Sequence, residues 1–287
     1  MSKISTELIK EVEQEIQPIF KKIEDICSKN SEKVLNAFQQ CKLQEAHLNS
    51  STGYGIDEPG RNKIEEIYSK IFKAEDSLVR TQLISGTHAL SVTLSALLRP
   101  GDTMLSITGE PYDTLQTVIG IGKEESKSSL KFFNINYEQI DLKESEFDIE
   151  KIKKRLSKKD IKLVEIQRSR GYSTRKSLTI EKIEEVIKSI REVNNEVIIM
   201  VDNCYGEFVQ EREPIEVGAD IAVRITHEKF RSRYCYIRSL YSWEKRTNRI
   251  MCRKINFTWN RKRNRTITKP KYTINKRFIF CTKCSCK

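Results

Sequence analysis

Apolar residues in the first 222 positions alternate between helical spacing and short continuous runs. Helical spacing predicts helices over residues 4–27, 31–48, 62–72, 88–98, 113–119, 149–156 and 180–193. Apolar runs predict strands over residues 77–84, 103–107, 132–137, 161–166 and 197–201. Strands that alternate with helices in this way predict an α/β layer architecture with a mostly parallel, buried sheet.

One polar segment lies between the first predicted strand and the helix that follows it, where ligands bind in open α/β sheets. Ser85, Gly86 and Thr87 stand at this helix start. Free backbone N–H groups and the positive helix end attract an anion there. Because serine and threonine are also ordinary N-caps, phosphate binding and simple capping both stay open. His88 likewise fits either a packed, capping role or a functional one.

Two further strand ends are followed by charged residues. Asp202 ends the most apolar strand, and a buried carboxylate there needs a cation or a strong donor. A protonated pyridine nitrogen, a structural arginine and a helix N-terminus are the alternatives. Arg168 and Arg170 follow another strand, where guanidinium groups suit a carboxylate or a phosphate. Solvation at the surface is the competing interpretation for both arginines.

The formal charge divides the chain near Ala222. The whole chain carries +12, but residues 223–287 contain 20 Lys+Arg against two acids, which leaves residues 1–222 at −6. All 11 glycines precede residue 223, whereas five of the eight cysteines follow it. The basic character therefore belongs to the tail alone.

The localisation expected from the sequence is cytoplasmic. No apolar run approaches the roughly 18 residues that a membrane-spanning helix needs, and the first ten residues lack an apolar signal core. We therefore expect no membrane association. We also expect the cysteines to be free thiols or metal ligands rather than disulfides.

Five segments taken together carry a resemblance to a known family. They are residues 85–89 (Ser-Gly-Thr-His-Ala), 99–102 (Arg-Pro-Gly-Asp), 109–115 (Gly-Glu-Pro-Tyr-Asp-Thr-Leu), 167–172 (Gln-Arg-Ser-Arg-Gly-Tyr) and 201–208 (Val-Asp-Asn-Cys-Tyr-Gly-Glu-Phe). In this order and spacing they resemble the methionine gamma-lyase-like, "aluminium resistance" family of fold-type-I pyridoxal phosphate proteins, which is related to cystathionine beta-lyases. The resemblance covers residues 1–222 and none of the remainder.

The resemblance implies an organisation and an activity. Residues 1–60 would form an N-terminal helical arm and active-site loop, and residues 61–222 an incomplete cofactor-binding large domain of the transferase-like fold. Residues 223–287, which the resemblance does not cover, are interpreted as an out-of-frame basic tail from their composition and back-translation. The cofactor would be pyridoxal 5′-phosphate. The activity would be carbon–sulfur lyase chemistry, a β- or γ-elimination on a small-molecule sulfur amino acid, in a homodimer or homotetramer.

The resemblance also implies roles for individual residues. Ser85, Gly86 and Thr87 would hold the cofactor phosphate, Tyr112 would stack on the pyridine ring, Asp202 would pair with the ring nitrogen, and Tyr205 would hydrogen-bond the ring hydroxyl. Arg168 or Arg170 would hold the substrate carboxylate. Tyr54 and Arg61, in a glycine- and proline-containing loop, resemble residues that reach a neighbouring subunit's cofactor phosphate.

The lysine that forms the Schiff base with the cofactor is missing from its expected place. In the family it lies in a Ser-Leu-x-Lys-Asn stretch just past Gly-Ala-Asp, which here is residues 218–220. Residues 221–229 instead read Ile-Ala-Val-Arg-Ile-Thr-His-Glu-Lys, and nothing around Lys229 matches the family. The family's glycine-rich continuation and small C-terminal domain are not recognisable in residues 223–287 either.

Back-translation indicates a frameshift at about codon 223. Arg224 to Cys235 can be written with codons that, after loss of the first base, read Gly-Ser-Leu-Met-Lys-Asn-Leu-Gly-Ala-Gly-Ile. A sequence that resembles the family continues in that frame to about Arg265, although only the wobble base of each codon can be chosen freely. The hypothesis is a frameshifted and inactive fragment, with the shift either in the gene or in its sequencing.

The tail has rival interpretations. Its basic cluster at residues 261–265, near Phe257 and Trp259, is typical of a nucleic-acid-binding patch, and any such tail would bind polyanions non-specifically. A non-enzymatic protein with a basic nucleic-acid-binding tail is therefore the alternative function. Cys281, Cys284 and Cys286 supply only three of the four ligands of a closed zinc site. We expect a disordered or irregular tail, and a sheet that lacks its later strands.

Overall fold

The structure confirms the alternation of helices and strands. This computed structural model describes residues 3–49, 58–80, 83–122, 126–225 and 238–242. The α-helices are α1 (Lys3–Gln40), α2 (Pro59–Ile71), α3 (Gly86–Leu97), α4 (Asp113–Ile119), α5 (Ile149–Leu156) and α6 (Ile180–Val193). The strands are β1 (Asp76–Val79), β2 (Thr103–Ser106), β3 (Asn136–Gln139), β4 (Ile161–Gln167), β5 (Ile198–Asp202), β6 (Ile221–Ile225) and β7 (Arg238–Ser242). Short 3₁₀ turns occupy Glu45–Leu48, Lys131–Phe133 and Pro214–Val217.

Within these residues the strands form one sheet in the order β1-β7-β6-β5-β4-β2-β3. The neighbours β2/β3, β2/β4, β4/β5 and β5/β6 are parallel. Only β7 runs against its two neighbours, β1 and β6. The predicted α/β architecture with a mostly parallel sheet is therefore confirmed.

The strand β7 comes from the tail, where no strand was expected. It lies between β1 and β6, with Leu78 opposite Leu240 and Val223 also opposite Leu240. Hydrogen bonds between neighbouring strands join backbone groups. A segment whose sequence does not resemble the family can therefore pair at this position. The remainder of the tail after Ile225, and with it the expectation of disorder, lies outside the described residues.

Apolar side chains cover both faces of the sheet because successive strand residues point to opposite sides. Along β4, Val164 packs with the core formed by α1, α2, α5 and α6, and Leu163 packs with the core formed by α3 and α4. Both side chains are fully buried. The polar side chains at the strand ends, which are described below, lie on the α3/α4 side of the sheet.

Three predicted elements differ from the structure. The two helices predicted at the N-terminus form a single helix, α1. Asn30, at the predicted break, is buried in this helix because its side-chain amide donates to the Phe208 and Gln210 carbonyls. The strand predicted over residues 132–137 begins only at Asn136, since Asn134 adopts a left-handed conformation with φ of 59°. The first strand ends at Val79, well before residue 84.

Candidate active site

The first part of the site is the N-terminus of α3. Ser85 caps this helix, and its hydroxyl accepts the His88 backbone N–H at 2.9 Å. The His88 ring Nδ1 accepts the Ile84 N–H at 3.3 Å, so this histidine supports the cap. Thr87 Oγ1 lies 2.6 Å from Thr114 Oγ1, which brings the starts of α3 and α4 together. Two helix N-termini side by side favour an anion.

Tyr112 links the start of α4 to the end of β4. Its backbone N–H donates to Gln167 Oε1 at 2.8 Å. Its ring, 37% exposed, stacks on Tyr172 with centroids 5.3 Å apart, and the two hydroxyls are 3.0 Å apart. Gly171 keeps this pair close, because a Cβ there would lie 3.4 Å from the Tyr112 ring at a φ of +57°. The aromatic pair thus forms one wall of the site.

Asp202 is buried at the end of β5. In the sheet it lies opposite Gln167 of the neighbouring strand β4. Gln167 binds the Tyr112 backbone at the start of α4, and Thr114 of α4 contacts Thr87 of α3. Its Oδ1 accepts the Cys204 N–H at 3.1 Å. Burial raises the pKa of the Asp202 carboxyl, against the effect of the Cys204 hydrogen bonds. A cation next to the Asp202 carboxylate would offset this desolvation cost. The protonated nitrogen of a pyridine ring is such a cation.

A second carboxyl lies on the same face and was missed in the sequence. Glu165 on β4 is completely buried, and its Oε2 lies 2.8 Å from the Ser106 hydroxyl. That hydroxyl also lies 2.8 Å from the Gly109 carbonyl oxygen, which can only accept. Burial raises the pKa of Glu165 to about 8, with a smaller contribution in the same direction from Asp202. The only indication in the sequence is one acid within a mostly apolar strand.

The two candidate arginines differ sharply. Arg168 is buried, and its guanidinium donates to Asn203 Oδ1 and the Gly206 carbonyl at 2.8 Å each and to Gln210 Oε1 at 3.0 Å. These bonds hold the loop after β5, so the guanidinium is engaged inside the protein. Arg170 lies exposed on the loop after β4 and is the better placed of the two for a substrate carboxylate.

The remaining candidates are placed as follows. Tyr205 is half exposed, three residues past Asp202, in a left-handed conformation with φ of 67°. Arg61 lies at the start of α2, where its guanidinium contacts the buried Glu58 carboxylate at 2.5 Å. Tyr54 lies outside the described residues. So do Lys229, the segment where the lysine is expected, the basic cluster and the three C-terminal cysteines, and their roles stay predictions.

Arg175 is a further residue that the sequence did not single out. Its guanidinium donates to the Gln167 and Ser169 carbonyls at 2.8 and 2.5 Å, which fixes the loop that carries Arg170. Because this loop contains several arginines and serines, the sequence alone does not distinguish the role of Arg175 from that of Arg170.

Two other kinds of feature are missing from the residues that the structure describes. In that part of the chain, no helix is both long and apolar enough to cross a bilayer. Across the same residues, no group of three or more His, Cys, Asp or Glu side chains is arranged to hold a metal ion.

Comparison with known proteins places this site in a family. Residues 5–225 match the family described as methionine gamma-lyase. The uncharacterized protein YnbB of Bacillus subtilis (strain 168) is 46% identical over 212 residues, which are 74% of this chain and 50% of that protein.

Solved structures agree with the family match. A proposed cystathionine beta-lyase involved in aluminium resistance from Listeria innocua is 42% identical with a TM-score of 0.83, over 89% of this chain and 62% of that one. A carbon–sulfur lyase involved in aluminium resistance from Clostridium novyi NT is 44% identical with a TM-score of 0.73, over 78% and 53%. A pyridoxal-5′-phosphate-dependent protein of Escherichia coli, 15% identical with a TM-score of 0.61, shares the fold alone.

The chain thus spans between half and two thirds of the length of these relatives. The matched residues contain the Ser85–Thr87 turn, Tyr112 and Asp202, and they end where the charge of the sequence changes. The family resemblance and the fold expected from the sequence are both confirmed. Over residues 5–225, this chain belongs to the methionine gamma-lyase family of fold-type-I pyridoxal phosphate proteins.

Proposed function

We propose that residues 5–225 are the cofactor-holding part of a pyridoxal phosphate-dependent carbon–sulfur lyase that acts on a sulfur amino acid by β- or γ-elimination. The observation that carries this proposal is the buried Asp202 carboxyl, which lies opposite Gln167 in the sheet. Gln167 binds the Tyr112 backbone at the start of α4, and α4 contacts the start of α3. A phosphate fits the helix ends, and a protonated ring nitrogen fits the carboxyl. The names of the similar proteins from Listeria innocua and Clostridium novyi support the reaction class.

Each residue of the site would have a separate task. Ser85, Gly86 and Thr87 hold the phosphate, and Tyr112 packs on one face of the ring. Asp202 keeps a proton on the ring nitrogen, and Tyr205 bonds the ring hydroxyl. Bound pyridoxal phosphate supplies an electron-accepting ring that stabilises negative charge on the substrate α-carbon.

Substrate binding would rest on the loop after β4. Exposed Arg170 receives the substrate carboxylate, while Arg168 positions the Asn203–Gln210 loop from behind. Tyr54 and Arg61 would reach the cofactor phosphate of a neighbouring subunit, so that the active form of an intact protein is at least a homodimer. The pairing of Arg61 with Glu58 would have to open for this contact.

This chain itself is proposed to be inactive. The proton on the α-carbon needs a lysine to remove it, and residues 221–229 do not present the family's lysine sequence. The frameshift at about codon 223 accounts for that loss.

Cofactor titration tests the proposal. We expect the full chain to bind pyridoxal phosphate reversibly and Asp202→Asn to weaken binding. Asp25→Asn, at an exposed position of α1 outside the site, serves as the matched control. A chain repaired in the shifted frame should show cofactor absorbance that borohydride fixes at the restored lysine. Stoichiometric borohydride fixation at one lysine of the unrepaired chain, or equal affinity of Asp202→Asn, would contradict the proposal.

A further inference from the structure

Three aromatic rings surround the guanidinium of Arg224. This arginine lies on β6 and is buried, with 1% of its surface exposed. Its guanidinium carbon lies 4.4 Å from the ring centroid of Phe72, 5.3 Å from that of Tyr68 and 5.6 Å from that of Phe208. A cation within about 6 Å of an aromatic face is attracted by the negative charge of that face. A guanidinium suits such a setting because it is more weakly hydrated than an ammonium group and stacks on rings.

The rings come from two separate segments and contact one another. Tyr68 lies on α2 and Phe72 at its C-terminal end, with ring centroids 5.9 Å apart, and Phe72 lies 5.3 Å from Phe208 in the loop after β5. Phe208 adopts a left-handed conformation with φ of 58°. This conformation is costly for a residue other than glycine and persists only where surrounding contacts hold it. Here the Phe208 N–H donates to Glu213 at 2.9 Å, and its carbonyl accepts the Asn30 side chain at 3.1 Å.

A carboxylate completes the surroundings of the guanidinium. Glu207 Oε1 lies 3.6 Å from Arg224 Nε. Burial raises the pKa of Glu207 to about 7, and the positive charge of Arg224 acts in the opposite direction. The second buried carboxyl, Glu213, accepts the Phe208 backbone N–H on one oxygen and the Asn203 side chain on the other. The carboxylate that Arg224 neutralises is therefore Glu207.

This cluster lies on the side of the sheet opposite to Asp202. On β6, Ala222 belongs to the core formed by α1, α2, α5 and α6, and Val223 belongs to the core formed by α3 and α4. Since successive strand residues alternate between the two faces, Arg224 points to the side of Ala222. On β5, Met200 belongs to the α3/α4 core, and Asp202 shares its face. A function of the cluster therefore does not depend on the lyase proposal.

We propose that this cluster is a binding site for guanidinium compounds and that Arg224 is a ligand supplied by the chain itself. The site, here called the cation cage, consists of Tyr68, Phe72, Phe208 and Glu207. In this chain the Arg224 side chain occupies the cage and closes it. Under the frameshift hypothesis codon 224 reads glycine, so a chain in the family's frame has no side chain of its own in the cage. Such a chain would take a free alkylguanidinium.

Chemical rescue in the full chain tests the proposal. Arg224→Ala removes the side chain beyond its Cβ, and ethylguanidinium has the shape of the atoms removed. We expect the substitution to lower the thermal unfolding midpoint by about 10 °C, because it leaves a buried carboxylate without its cation. Ethylguanidinium at about ten times its dissociation constant should raise the midpoint of this variant by about 3–5 °C and leave the parent unchanged. Ethylurea, a neutral molecule of the same shape, is the control ligand, and Arg170→Ala, at an exposed arginine, is the control variant.

Two further variants assign the effect to the cage. The double variant Arg224→Ala/Glu207→Gln should lose the rescue, whereas the rescue of Arg224→Ala should strengthen as the pH rises and Glu207 ionises. Glu213 and Arg168, the other charged groups that act on Glu207, are present in both variants. Arg224→Lys keeps the positive charge and should unfold several degrees below the parent, a comparison that holds even where Arg224→Ala does not fold. Ethylguanidinium that acts no better than ethylurea, or an Arg224→Lys midpoint equal to that of the parent, would overturn the proposal.

Discussion

Replacement of Glu165 by glutamine should stabilise the protein increasingly as the pH rises. Glu165 is completely buried and shares Ser106, whose one hydroxyl proton faces both its carboxyl and the Gly109 carbonyl. When the hydroxyl donates to Gly109, the carboxyl must carry a proton to bond Ser106. Glutamine has the same shape and presents an N–H donor at every pH.

The magnitude follows from the pKa of this carboxyl. Burial raises it from 4.5 to about 8, so the folded state binds a proton that the unfolded state has released between those values. The contribution of Glu165 to the free energy of unfolding is therefore complete below about pH 4.5 and falls as the pH rises. At 1.36 kcal/mol per pKa unit, the loss amounts to about 3 kcal/mol by pH 7 and about 5 kcal/mol above pH 8.

Urea unfolding of parent and Glu165→Gln across about pH 5 to pH 9 measures this difference directly. Glu207, whose pKa burial raises to about 7, and buried Glu213 also make stability depend on pH, but they are common to both proteins and cancel. Glu110→Gln, at an exposed position, is the matched control. Parallel profiles that stay within about 0.5 kcal/mol would show that Glu165 is ionised in the folded protein and would contradict the expected pH dependence.

Three further predictions test the site. Arg168→Ala should lower the free energy of unfolding by about 1–3 kcal/mol for each buried acceptor that it leaves unpaired, whereas Arg170→Ala should leave the denaturation midpoint unchanged. Equal midpoints for the two variants would contradict the positioning role of Arg168. Gly206→Ala should cost about 1–3 kcal/mol in the same assay, since its Cβ would lie 2.3 Å from Asn203 Oδ1; an unchanged midpoint would show that the loop relaxes freely. In a repaired chain, Asp202→Asn should remove most elimination activity with the fold intact, and activity within about twofold of the parent would refute the role of Asp202.

The sequence predicted the sheet because the pattern that specifies it is local. Apolar runs and helical spacing mark β4, β5, α5 and α6 within a residue or two at either end. The turn at Ser85 and the position of Asp202 at a strand end were equally visible, since both follow from the order of elements. Five family segments then gave these positions their expected roles.

What the sequence could not show depends on contacts between distant segments. The burial of Arg168 is decided by the Asn203 and Gln210 side chains, which lie 35 and 42 residues away in the chain. Glu165 likewise takes its character from Ser106 on a neighbouring strand. The pairing of β7 with β1 joins segments more than 150 residues apart, and no local pattern in the tail predicts it.

The proposed loss of the lysine segment through a shift of reading frame can be examined in the gene itself, by sequencing codons 210 to 270. We expect that, one base out of register after about codon 223, the DNA encodes Gly-Ser-Leu-Met-Lys-Asn followed by a glycine-rich continuation. A read that encodes Val223 to Lys287 and contains no such text in either alternative frame would contradict it.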